Sequence, residues 1–239
     1  GLGDVYKRQG HQMGLAVGAA EDDFPHAIML DPEQLMPYLR VNKLGERFTP
    51  EYEPYGHLAL AIQAQPGTYD FYVVDSAIGE KIDKIWTPSS SCYGPKEMWT
   101  AAAMSEKALK ADTLEELAKL MEVPEAQFVA TIERWNEMVA AGKDEDFNFP
   151  GEMMMTIDTP PYYATKEFAD GLCTAGGLLV DTECRVLDKD RQPIDGLFAI
   201  GLTSGGMFFN TYPHNLNCLS HTRNCLMGYT VGQVLGDKA

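Results

Sequence analysis

Apolar positions recur along this chain in two rhythms, and the clearer one is helical. Phe128, Ile132, Trp135, Met138 and Val139 fall on one face of a helix that Gly142 is placed to end. Before it, Thr113 stands three residues ahead of Glu116, the spacing at which a threonine hydroxyl takes a first-turn amide, so a second helix starts there. Pro124 suits the opening of the longer helix, where a missing N–H costs nothing. Residues 57–65 suit a further helix. From Gly10, GHQMGLAVGAAED reads as a helix that buries Met13, Leu15, Ala16 and Val17, with Gly18 as a close-packing residue or a break.

The second rhythm is that of strands. Short apolar runs bounded by turn residues predict strands at 38–42 and 71–75. After 171 they predict a small β-meander, with turns at Asp181-Thr182 and Asp188 to Gln192. The last run, Leu197 to Ile200, predicts a buried strand that stops at Gly201. A loop with Gly205 and Gly206 follows, and a helix begins near Leu219. Residues 87–95, rich in Pro, Ser and Gly, read as a linker. Met153 to Met155 read as gap-filling core, Lys143 to Asp146 as a solvated loop, and His11, His26 and His57 as surface or capping residues.

Composition narrows what this chain can do. The length of 239 residues allows one large or two smaller domains. A formal net charge of -16 argues against a nucleic-acid partner, whose affinity is largely cationic. Five cysteines, odd in number and widely spaced, predict free thiols and a reducing compartment, with the cytoplasm favoured. No apolar run reaches the roughly 18 residues of a membrane-spanning segment. Residues 1–9, GLGDVYKRQ, resemble a translated sequencing-linker tail and are set aside as non-native. The text from Gly10 then starts inside a helix, as in a chain whose front half is missing.

The candidate chemistry lies near the carboxyl terminus. A glycine at a strand end lets a flat ligand touch backbone, and a helix start offers amides and partial positive charge to an electron-rich atom. The segment from Gly201 to His221 therefore predicts a site for something planar and electron-rich. Cys218, His221 and Cys225 share a helix face, but a fourth ligand and the usual CxxC spacing are absent, so no metal is assigned.

These residues carry a family resemblance. GLFAIGLTSGG followed by YPHNLNCLSHTRNCLMGYTVG resembles the carboxyl-terminal flavin-binding segment of the fumarate reductase and succinate dehydrogenase flavoprotein superfamily, which includes urocanate reductases and 3-ketosteroid dehydrogenases. GHQMGLAVGAA, VNKLGERF, DEDFNFP, PPYYA and TAGGLLVD resemble further family segments in order, so the likeness spans Gly10 to Gly236. It implies an α/β plus α+β fold: the carboxyl-terminal part of a Rossmann-like FAD-binding domain (10–30 and 166–239) with an inserted capping domain (31–165). The amino-terminal dinucleotide fingerprint is missing from these residues.

The resemblance further implies an FAD-dependent oxidoreductase that moves hydride between flavin N5 and a conjugated C=C or adjacent C–C bond of a small-molecule substrate. The electron donor or acceptor is unknown, and the fragment alone is expected to be inactive. Gly201, Leu202 and Thr203 would lie along the flavin's ribityl side, with Asn217, Cys218, Leu219, Ser220 and His221 at its pyrimidine edge. NTYPH is similar to the SYPG turn in which a tyrosine polarises a substrate carbonyl, which makes Tyr212 the electrophilic donor. Tyr55 falls at the place of the family's arginine acid, and Tyr55 or Arg47, the latter kept from the RF motif, would lie near the proton path. A Cys at 173, where the family grips a carboxylate with His, argues against fumarate itself. The alternative is a non-catalytic binding protein that keeps the fold.

Overall fold

The computed structural model describes residues 9–23, 28–30, 36–53, 55–86, 94–169, 171–174, 176–208, 216 and 218–236, with 28–30, 55 and 171–174 described by backbone alone. The chain divides into two compact units. One comprises Gly1–Leu30, Pro54–Gly56 and Asp170–Ala239, and the other Asp31–Glu53 and His57–Ala169.

In chain order, helix α1 (Gln9–Ala16) and strand β1 (Ile28–Leu30) precede β2 (Leu39–Val41), α2 (Tyr55–Gln63) and β3 (Tyr69–Asp75). Then come α3 (Lys96–Ala103), β4 (Leu109–Ala111), α4 (Leu114–Met121), α5 (Glu125–Ala141) and β5 (Tyr162–Phe168). The chain finishes with β6 (Gly171–Thr174), β7 (Arg185–Leu187), β8 (Pro193–Phe198), a 3-10 turn (Gly201–Thr203) and α6 (Leu219–Gly236).

The second unit is an α+β layer built on an antiparallel sheet ordered β2-β3-β5-β4. Strand alternation gives its two faces different jobs. Leu39, Val41, Phe71, Val73 and Ala164 point to one face and pack with Leu117, Phe128, Ile132, Trp135 and Met138 from α4 and α5. Tyr38, Tyr72 and Val74 point to the other, with Ile78, Ile82, Ile85 and Trp99. Phe128 is 0% exposed, and each such side chain contributes about 1.5–3 kcal/mol through burial. The predicted caps form: the Glu116 amide donates to Thr113 Oγ1 at 3.1 Å, and Gly142 ends α5 at φ 68°. Trp135 Nε1 donates to the Met155 carbonyl at 2.6 Å, and Met154 and Met155 are core as expected.

The first unit is built from shorter pieces. β1 pairs with β6, and β7 with β8, each as a two-stranded antiparallel ribbon. Backbone bonds knit segments 19–22, 177–180 and 203–205 together: Asp22 N donates to Gly177 O (2.9 Å), Leu178 N to Thr203 O (2.8 Å) and Gly205 N to Leu178 O (2.7 Å). The Asp181 and Asp188 turns form as expected, each carboxylate accepting two downstream amides.

Several expectations are corrected. α1 buries His11 and Gly14, whereas Met13, Leu15, Ala16 and Val17 are all exposed, because Gly14 is the residue small enough to let the helix settle on Leu178. His11 is therefore not a surface residue. The final strand ends at Phe198, and Ile200, which lies beyond it, is 40% exposed. Asp144 is 2% exposed and does not belong to a solvated loop; an arginine holds it inside. The linker at 87–95 lies mostly outside the described residues, as do His26 and Cys173's side chain.

Candidate cofactor site

The glycine turn and α6 meet within the first unit. Gly201 has φ 64°, a left-handed conformation that glycine adopts without cost, and a Cβ there would lie 3.1 Å from Asn224 Oδ1. Ser204 Oγ donates to the Gly201 carbonyl at 2.8 Å and lies 3.6 Å from the Met227 sulfur. The strand end therefore rests on the second and third turns of α6.

Two buried charges fix this turn from opposite chemical sides. Asp22 Oδ2 accepts the amides of Gly177 (3.0 Å) and Gly206 (3.2 Å). Arg223 Nη2 donates to Ser204 O (2.9 Å), Ser204 Oγ (2.7 Å) and Gly205 O (2.9 Å), and the guanidinium lies over the Phe208 ring. Burial pulls Arg223 below the usual guanidinium range, and Asp22 opposes that pull. Small residues are required where these segments touch. A Cβ on Gly177 would come within 2.6 Å of Thr203 O, one on Gly10 within 2.8 Å of Thr203 Oγ1, and one on Gly205 would overlap the Asp22 carboxylate.

α6 opens at Cys218, which is exposed and has φ 61°; the first helical bond runs from the Thr222 amide to Cys218 O at 2.9 Å. The amides of residues 219 to 221 precede that bond and so point out of the helix start. Leu202, Thr203 and Ser220 are half-buried and His221 is exposed. The donors on these two segments are backbone amides, hydroxyls and one imidazole, a set suited to the oxygen and nitrogen edge of a planar heterocycle and to a polyhydroxyl chain. Of the residues expected at this site, Gly201, Leu202 and Thr203 form the 3-10 turn that leads to Ser204, and Cys218, Leu219, Ser220 and His221 open α6. Tyr212 and Asn217 lie outside the described residues.

Tyr55 occupies the first turn of α2, in backbone only. Arg47 belongs to the other unit and is fully engaged. Its Nε and Nη2 reach Glu51 (2.7 and 2.5 Å), its Nη1 and Nη2 reach Asp144 (2.7 and 2.8 Å), and Trp135 and Phe147 flank its face. With 5% of its side chain exposed, it braces the turn that precedes Glu51.

The sequence reading missed Asp22, Arg223 and Asn224. The available signal was Arg223 itself, a formal charge inside an otherwise uncharged helix and three residues after Ser220. Asp22 carried no signal, because its partners are main-chain amides more than 150 positions away.

Comparison with known proteins gives this arrangement its class. A family profile described as "FAD binding domain" matches residues 9–219. The chain belongs to that family, the FAD-dependent flavoproteins of the fumarate reductase and succinate dehydrogenase type, and FAD is its cofactor. It is 32% identical over 200 residues to a "Probable fumarate reductase" of Shewanella frigidimarina, covering 83% of this chain and 30% of that protein. It is 27% identical over 247 residues to the 4-oxocyclohexanecarboxylate 2-dehydrogenase of Sinomonas cyclohexanicum, covering 93% and 41%. The open conformation of a flavocytochrome c3 fumarate reductase superposes with a TM-score of 0.65 at 28% identity, covering 93% of this chain and 38% of that one. A 3-ketosteroid delta1-dehydrogenase from Sterolibacterium denitrificans shares the fold, with a TM-score of 0.71 at 24% identity over 96% and 46%. The chain thus spans between three and just over four tenths of the curated relatives named here. Among the described residues no helix is long and apolar enough to cross a membrane.

Proposed function

We propose that this chain carries the ring-side half of an FAD site in an oxidoreductase that reduces or forms a conjugated C=C bond in a small organic substrate other than fumarate. The observation that carries this reading is the docking of the Gly201–Ser204 turn on Asn224 and Met227 of α6, the helix that opens at Leu219. FAD, when bound, supplies a two-electron hydride donor or acceptor. Gly201, Leu202 and Thr203 would hold its ribityl side, and the amides from Asn217 to His221 its pyrimidine edge. A helix start facing negative charge there contributes about 0.3–2 kcal/mol.

Tyr212 serves as hydroxyl donor to a substrate carbonyl or carboxyl, and Tyr55 stands on the proton path. Arg47 we assign to positioning: its carboxylate pairs fix the turn that precedes Glu51. The names of the relatives support a conjugated substrate, since fumarate and a 4-oxocyclohexanecarboxylate both place a C–C bond beside a carbonyl or carboxylate. The family's fumarate handle is absent at Cys173.

The reading is tested by expressing the protein from its complete reading frame and adding FAD while following flavin fluorescence. Quenching with a retained yellow colour is expected, followed by reoxidation of the reduced cofactor on addition of an enone or enoate. Bound flavin that no conjugated substrate reoxidises would favour the non-catalytic alternative, and a protein that stays colourless would refute the site.

A further inference from the structure

Arg223 and Asp22 have no place in the assignment above, yet they are the charged side chains through which the glycine turn is held. Each is only 8% exposed. They meet the same three residues, Ser204 to Gly206: the carboxylate accepts from the amide of Gly206, and one guanidinium nitrogen donates to the carbonyls of Ser204 and Gly205. The acceptors closest to Arg223 are neutral. Carbonyl oxygens satisfy its hydrogen bonds without cancelling its charge, whereas a carboxylate in the same position would do both. Asp22 supplies opposing charge at longer range.

A fixed, buried cation directly behind the turn that carries Gly201 to Thr203 is poorly screened by solvent. We propose that Arg223 is a positioning residue that also sets the electrostatic potential of this cofactor site, favouring the more electron-rich state of the bound group, and that Asp22 moderates it. This rests on the FAD reading above. The guanidinium acts through the turn and touches no reacting atom.

The test measures oxidised and reduced FAD binding to the intact protein and to Arg223→Gln, Arg223→Lys and Asp22→Asn, with dithionite as reductant and a reference dye as potential standard. R223Q is expected to weaken reduced FAD relative to oxidised FAD by about tenfold, which is about 30 mV downward for a two-electron couple. R223K keeps the charge and should hold the ratio near that of the native protein even where its geometry lowers thermal stability. D22N should move the ratio the opposite way.

A stability loss in R223Q with an unchanged ratio would overturn the inference and leave Arg223 as a strut. If R223Q does not fold, D22N decides: tighter relative binding of reduced FAD supports the inference, and no change overturns it. Native protein that binds no FAD refutes the underlying site as well, whereas native binding with a ratio insensitive to both residues refutes this inference alone.

Discussion

The two units use buried arginine in opposite ways. In the sheet-based unit, Arg40 Nη1 lies 2.8 Å from both Asp70 Oδ2 and Glu167 Oε2, and Arg47 is gripped by Glu51 and Asp144. Burial alone would pull both guanidiniums down, but their carboxylates hold them above the usual arginine range. In the glycine-rich unit, Arg223 rests on carbonyl oxygens and burial prevails. Two carboxylates on each arginine lock a scaffold and leave no positive charge over. A charge closed on neutral carbonyls keeps its field, which is of use only where a ligand is to feel it.

That contrast can be broken by mutation. The largest effect is expected from Arg47→Met, which strands two carboxylates whose side chains are 0% exposed; it should cost about 3–5 kcal/mol in chemical denaturation. It should leave the ratio of oxidised to reduced FAD affinity unchanged in whatever fraction folds. A shifted ratio would erase the distinction between the two arginines.

Next in size is a pH effect. Burial pushes the Glu51 carboxyl up to about 7 against the pull of Arg47. Burial would raise Asp144 too, but Arg47 and the Phe149 and Asp146 amides hold it below the carboxylate range. Glu51 binds its proton more tightly folded than unfolded. Its contribution is therefore present below the unfolded value of about 4.3 and lost as pH rises through about 7. Asp144 works in the other direction: its contribution is present above the unfolded value near 3.9 and lost as pH falls through its depressed folded value. Glu51→Gln should flatten the decline in stability between pH 5 and 7.5 by roughly 2–3 kcal/mol, and an unaltered slope in urea titrations would contradict this.

Gly177→Ala sharpens the comparison from the other side. A methyl group 2.6 Å from Thr203 O must displace the turn, at a cost of about 1–3 kcal/mol, and here FAD affinity should fall with stability. Unchanged affinity in isothermal titration would separate this turn from the cofactor. The smallest effect belongs to Thr113→Ala, which removes one helix cap from the sheet-based unit; about 1 kcal/mol of stability should be lost with no change in flavin binding.

The sheet-based unit was the more legible in sequence, for a physical reason. Phe128, Ile132, Trp135 and Met138 repeat at helical spacing on a 17-residue helix, and the Thr113 cap is set by a partner three positions away. Local rules decide such features. The same rules failed for α1, where apolar Met13 and Val17 face outward and Gly14 packs inward, because what covers a helix is a tertiary matter. Asp144 read as solvent-facing because its partner, Arg47, lies 97 positions away.

At the site, the glycine turn and the helix beginning at Leu219 could be read directly, since φ and capping preferences are local. The residues that hold them together could not. Asp22 and Arg223 act on main-chain atoms, and main-chain atoms leave no trace of partner choice in a sequence.

The central claim is that Gly201–Thr203 and the start of α6 receive FAD. Amide chemical shifts of the isotope-labelled protein, recorded as FAD is added, test it most directly. The account predicts that the largest shifts fall on Gly201, Leu202, Thr203 and Cys218 to His221, with the amides around Arg47 and Arg40 unmoved. Saturating FAD that shifts the sheet-based unit and leaves the 201–206 turn untouched would contradict it.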